Sequence, residues 1–116
     1  MPAVARAYRG MLIEVPLALY YLPRKPSPAQ IAQVLADAYR DSPIVRVVED
    51  DGETRLVRLE DDAGTDRLSV RVFGSPDRSH ARLIATLDNL GKGAAGAAVQ
   101  NLNIMAGFDQ TAGLVL

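Results

Sequence analysis

The sequence predicts an α+β fold, one mainly antiparallel sheet with helices packed on one face, in a single domain spanning 1–116. Three observations carry this. Apolar residues recur at period two in several short stretches. One stretch switches to the helical period and is preceded by helix-start chemistry. The length of 116 residues, 48% of them hydrophobic, fits one compact domain.

The first strand is expected over 11–21, where Met11, Ile13, Val15, Leu17, Leu19 and Tyr21 share one face. Pro16 has no N–H to give a ladder, so an edge, a bulge or a break is expected there. Ser27 is a good N-cap and Pro28 suits the first helical position. Ile31, Val34, Leu35, Ala38 and Tyr39 then mark one apolar stripe of a helix ending near Asp41-Ser42-Pro43. Ile44 to Val48 reads as a short β-branched strand. Arg55 to Leu59 reads as a weak one. The acidic run Glu49 to Glu53 lacks the alternating ligand spacing of a calcium loop and reads as a solvated turn. Leu68, Val70 and Val72 share a strand face, and Ala81 to Leu87 forms a similar strand. The short loop between them predicts an antiparallel hairpin. A last helix is expected over 92–106.

Composition excludes several functions. Thirteen basic and 14 acidic residues leave a net charge of −1, which gives no electrostatic basis for binding nucleic acid or an anionic membrane. No apolar run approaches the ~20 residues of a membrane span. The N-terminus lacks signal-peptide order, so a cytoplasmic location is expected. The chain has no cysteine, which rules out disulfides, thiolate metal sites and a cysteine nucleophile within it. Its one histidine, His80, sits in turn-forming sequence and reads as solvated; no metal site is expected.

Gly91-Lys-Gly93-Ala-Ala-Gly96 is a literal G-x-G-x-x-G. A dinucleotide fingerprint needs a second strand after the following helix, and only 20 residues remain beyond Gly96. The glycines then need another reason. A helix start with almost no side-chain bulk lets a neighbouring backbone or a flat ligand approach closely. Tight packing and cofactor contact remain equally open on the residues alone, as does anion binding at the Lys92 helix start.

From Leu87 to Leu114 the chain carries D-N-L-x-K-G-A-x-G, then A-V-Q-N-x-N, then G-x-x-x-T-x-G-L. These resemble the C-terminal signature of N-acetyl-gamma-glutamyl-phosphate reductase. Upstream, "PAVARAYRGM", "LPRKPS" and "GTDRLSVRVFG" are similar to segments of the shorter bacterial subtype, with Asp66 where that family usually has asparagine. The similarity runs over nearly the whole chain. It implies the C-terminal domain of an NADP-dependent acyl-phosphate reductase of arginine biosynthesis, in the structural group of glyceraldehyde-3-phosphate dehydrogenase. The family works through a cysteine thioester and a catalytic histidine, and both lie upstream of the part resembled. The resemblance therefore implies no catalytic residue in this chain, no activity alone and no NADP held by this chain alone. It implies a substrate contact at Arg9 and cofactor-side contacts at Asn89, Gly91 and Gly93. It also implies a homo-oligomer, dimer or higher, and a final helix packed on a separate cofactor domain. A non-catalytic oligomerisation module or a truncated paralogue is the alternative.

Overall fold

The computed structural model describes residues 5–49, 52–54 and 56–116. Pro2 and Val4 of the N-terminal motif, Asp50 and Asp51 of the acidic run, and Arg55 of the weak strand lie outside them. The elements are β1 (Met11–Ala18), a 3-10 turn (Leu19–Tyr21), α1 (Pro28–Ala38), β2 (Val45–Val47), β3 (Leu68–Gly74), β4 (His80–Leu87), a π-helical turn (Gly91–Ala95) and α2 (Gly96–Ala106). The described residues 56–59 form no strand. No helix among the described residues is long and apolar enough to cross a membrane.

The four strands lie in the order β1-β4-β3-β2. β4 is antiparallel to both β1 and β3, whereas β2 runs parallel to β3. The sheet is therefore mixed, which corrects the mainly antiparallel expectation. The crossover through α1 is the cause. It returns the chain so that β2 runs in the direction of β1, and β3 already runs that way because both flank β4.

Pro16 takes the edge option. Leu19 N–H donates to the Ser79 carbonyl at 2.9 Å. Continuing that register from Met11↔Leu87 to Ala18↔His80, the odd residues of β1 bond to β4 and the even ones face the free edge. The missing N–H of Pro16 falls on that edge, where no ladder bond is lost.

α1 begins as its sequence dictates. Ser27 Oγ accepts from Gln30 N–H at 3.2 Å, and Gln30 Oε1 accepts from Ser27 N–H at 2.8 Å. This capping box, with Pro28 at the first turn, fixes the start. Ile31, Ala32 and Leu35 then pack with Leu17, Leu22 and Leu83 on buried Leu19, Val72 and Ala81. α1 lies over β2 and β3. α2 does not pack across the sheet: it leaves the end of β4 through the π-turn and touches mainly that turn. Only one helix therefore covers the face on which both were expected.

The β3–β4 connection is the predicted antiparallel hairpin. Asp77 organises it, with Oδ1 accepting from Ser75 Oγ at 2.6 Å and Ser79 N–H at 3.1 Å. Those donors, Ser75 first, lower the Asp77 carboxyl to a pKa of about 2. His80 opens β4 and is exposed. Its Nδ1 lies 2.6 Å from Ser79 Oγ, and its ring meets Tyr20 edge-on at 5.4 Å.

Candidate substrate and cofactor site

β4 ends at Leu87, and the next residue organises everything around it. The Asp88 side chain is 0% exposed. Its Oδ1 accepts from Leu90 N–H at 2.7 Å and Gly91 N–H at 3.0 Å. Its Oδ2 accepts from Gly64 N–H at 2.7 Å and faces Arg9 Nη1 at 3.4 Å. One carboxylate thus joins the segment before β1, the loop before β3 and the start of the last helical segment. Burial pushes its pKa up, but the N–H groups of Gly64, Gly91 and Leu90, with the Arg9 guanidinium, outweigh that and hold it below the ordinary 3.8.

Three of the residues singled out from sequence meet here. Arg9 is 44% exposed, with one edge on Asp88 and its charge over the Tyr8 ring at 5.8 Å. Asn89, exposed, accepts on Oδ1 from Gly10 N–H at 2.9 Å. Gly10 has φ +112°, and a side chain there would run into the Leu59 carbonyl. Gly91 follows within the cap made by Asp88. Gly93, one step further, is exposed at the π-turn, with its N–H donating to the Asp88 carbonyl at 2.8 Å.

The glycines of G-x-G-x-x-G have internal neighbours. A Cβ on Gly91 would meet the Thr65 carbonyl at 2.6 Å, and one on Gly96 would overlap the Asp66 carboxylate. Gly93 has more room, with Leu87 Cδ1 at 3.1 Å and the Asp88 carbonyl at 3.2 Å. The space a pyrophosphate cradle would need at Gly91 and Gly96 is filled by the chain itself. The helix start is also satisfied internally at Leu90, Gly91 and Gly93, and Lys92 Nζ donates to Gln100 Oε1 at 2.9 Å.

Sequence reasoning assigned no structural role to the buried polar residues Asp88, Asp66 and Asn103. Asp88 carried a legible signal, an aspartate two residues ahead of a helical segment's N-cap, where its side chain can accept from the next turn's N–H groups. Asp66 binds the C-terminal segment: its N–H donates to the Val115 carbonyl at 2.6 Å, and its Oδ2 accepts from Val115 N–H at 2.9 Å. Asn103 donates from Nδ2 to the Ala112 carbonyl at 2.8 Å, tying α2 to the same segment. No local pattern reveals either contact, because the partners arrive through the tertiary fold.

This geometry can be set against known proteins. A family model described as the semialdehyde dehydrogenase dimerisation domain matches residues 1–89. Proteins named N-acetyl-gamma-glutamyl-phosphate reductase from Brucella ovis, Brucella canis and Brucella suis biovar 1 are each 45% identical over 108 residues, covering 91% of this chain and 35% of the relative. The chain thus spans about a third of the length of the curated relatives it matches. A match that runs from the first residue through the end of β4 and the Asp88–Asn89 turn makes this chain a member of the semialdehyde dehydrogenase dimerisation domain family.

Proposed function

We propose that this chain is the substrate-binding and dimerisation domain of a cytoplasmic NADP-dependent reductase. That enzyme converts N-acetyl-gamma-glutamyl phosphate to N-acetylglutamate semialdehyde in arginine biosynthesis. The observation that carries this reading is the 45% identity over 91% of the chain to reductases of that name.

NADP, held mainly by a separate cofactor domain, would supply the hydride. With no cysteine here, the acyl-enzyme bond must form on that other part of the enzyme. The contribution of this chain is to bind and orient. Arg9 supplies a guanidinium fork suited to a substrate carboxylate or phosphate. Asn89, Gly91 and Gly93 lie on the side that meets the cofactor and its domain. The exposed apolar residues around α2, Leu102, Ile104 and Met105, supply surface for that domain. A second copy covers the strip of Met11, Ile13 and Val15 on β1, in keeping with the dimerisation role of the family.

The test is the mass and activity of the native gene product. Since 108 residues are 35% of a relative, 108/0.35 gives a parent of about 310 residues. That product should reduce the acyl phosphate with NADPH, and the purified 116-residue chain should not. Turnover by the short chain, freed of full-length enzyme, would overturn the reading. A native product no longer than this chain would favour a free-standing oligomerisation module.

A further inference from the structure

We propose that Asp62 is a positioning residue for the ligand site: it ties the loop over 59–64 to the sheet and thereby sets where the Arg9 guanidinium stands. The inference rests on the reading of Arg9 as a substrate contact and adds a buried residue behind it.

Asp62 is 2% exposed, and its carboxylate meets side chains from three strands. Oδ1 accepts from Ser69 Oγ on β3 at 2.9 Å and faces Arg46 Nη2 on β2 at 3.4 Å. Oδ2 accepts from Thr86 Oγ1 on β4 at 2.5 Å. Ser69 and Thr86 are cross-strand partners, and both are fully buried. On the loop side, the Asp62 carbonyl accepts from Thr65 N–H at 3.2 Å and from Thr65 Oγ1 at 2.9 Å, which closes the turn that presents Gly64. Asp61 reinforces this anchor with a partly exposed ion pair to Arg71 at 3.4 Å.

Gly64 is the link to the site. Its N–H donates at 2.7 Å to Asp88 Oδ2, the same oxygen that faces Arg9 Nη1 at 3.4 Å. Gly64 adopts φ +79°, and a Cβ there would stand 4.0 Å from Arg9 Nη1. Loop and strand end are thus fastened reciprocally, Asp62 to Thr86 and Gly64 to Asp88, each bond spanning 24 residues of chain. At the other end of the loop the Leu59 carbonyl stands against Gly10, where no Cβ fits. Residues 9 and 10 therefore lean on both ends of a loop whose buried anchor is Asp62. A buried carboxylate carries a desolvation penalty that apolar packing avoids. What it adds is direction. Donors at fixed places on neighbouring strands define the loop position within the tolerance of a hydrogen bond, as placing a ligand group requires.

The link is read by 15N NMR on the 116-residue chain. Asp62→Ala should move the Gly64 amide and the Arg9 Nε–H resonance. The Leu90 and Gly91 amides, which bond to the other oxygen of Asp88, should stay near their parent positions. Thr86→Val removes one donor to Asp62 with little change in volume and should move the same resonances in the same direction. It carries the test if Asp62→Ala does not fold. Asp62→Asn keeps an acceptor oxygen and should return them toward the parent. In the full-length reductase, Arg9→Ala and Asp62→Ala should each raise the KM for the acyl phosphate about tenfold, as misplacing an orienting group does, with the KM for NADPH unchanged. The double variant should be no worse than Arg9→Ala alone, because both residues act through one contact. Unmoved Gly64 and Arg9 resonances, or all four moving together in Thr86→Val, overturn the positioning role. Additive effects on KM overturn it too and leave the Arg9 reading intact. If the resonances shift as expected while Arg9→Ala leaves KM unchanged, the link from Asp62 to Arg9 stands and the substrate role of Arg9 fails.

Discussion

Asp88 shows how far one residue can act. Four donors from three segments converge on a fully covered carboxylate. Asp88→Ala would leave the N–H groups of Gly64, Leu90 and Gly91 without their acceptor and remove a helix cap. Those losses amount to about 3 kcal/mol, a fall of ~10 °C in melting temperature for a chain of this size. Thermal melts check this. The pH dependence has a definite sign. The Asp88 pKa is lowered in the folded state, so its stabilisation is full above the ordinary 3.8 and fades as pH falls through the lower folded value. Asp88→Asn removes that titration, so the gap in melting temperature between parent and variant should narrow as pH falls below the ordinary 3.8, by calorimetry. A constant gap would argue against the lowered pKa. Asp77, with a pKa of about 2, likewise keeps its charge well below the ordinary 3.8.

The glycines permit a sharper prediction. Glycine to alanine within a helix ordinarily gains about 1 kcal/mol. At Gly96 the added carbon collides with the Asp66 carboxylate, which holds Val115 N–H at 2.9 Å. Disturbing that bond costs roughly 1–3 kcal/mol, so the net sign reverses and Gly96→Ala should melt lower than the parent. Gly93→Ala needs its neighbours to give only slightly, from 3.1 and 3.2 Å, and should melt close to the parent. Equal effects at both positions would show that Asp66 yields without loss.

At the scale of elements, β1 is the least covered part of the sheet. Met11, Ile13 and Val15 are 41%, 39% and 44% exposed, although they share the face on which α1 packs over β2 and β3. The free edge beside them carries Pro16, which weakens edge-to-edge pairing. A second copy is therefore expected on the flat of the strand rather than in line with the sheet. The chain should form a dimer or higher oligomer at tens of micromolar by light scattering, with an interface above ~1,000 Å². Ile13→Asp should shift it toward monomer while its circular dichroism stays unchanged, because the residue is already partly in water. An unchanged oligomer would place the interface elsewhere. β1, α1 and the β3–β4 hairpin were legible because each depends on its own periodicity, cap or turn. The direction of β2 was not. Three residues hold no information on parallel or antiparallel pairing, and the α1 crossover decides it.

The whole molecule is open for its length. Its radius of gyration is 15.6 Å, against about 13–14 Å for a compact domain of this size. Among the described residues six hydrophobic and six polar residues are buried, while Leu102, Ile104, Met105 and Phe108 are exposed around α2. So small an apolar core gives limited stability alone, and association should add to it. The melting temperature should therefore rise with protein concentration. A concentration-independent melt of the oligomer would show that assembly contributes nothing to folding.

The sequence by itself determined the α+β class, the strand and helix periods, the α1 cap, the hairpin and the family signature, because all are written in residue type and near-neighbour spacing. It also determined that no thioester forms here, since cysteine is absent. Only the tertiary structure decided that Asp88 and Asn89 meet Arg9 and Gly10, 79 residues away in the chain. It alone showed that Gly91 and Gly96 make room for Thr65 and Asp66. The physical reason is the same in each case. A buried carboxylate or a missing side chain is explained by what packs against it, and distant segments are brought together only when the sheet closes its register.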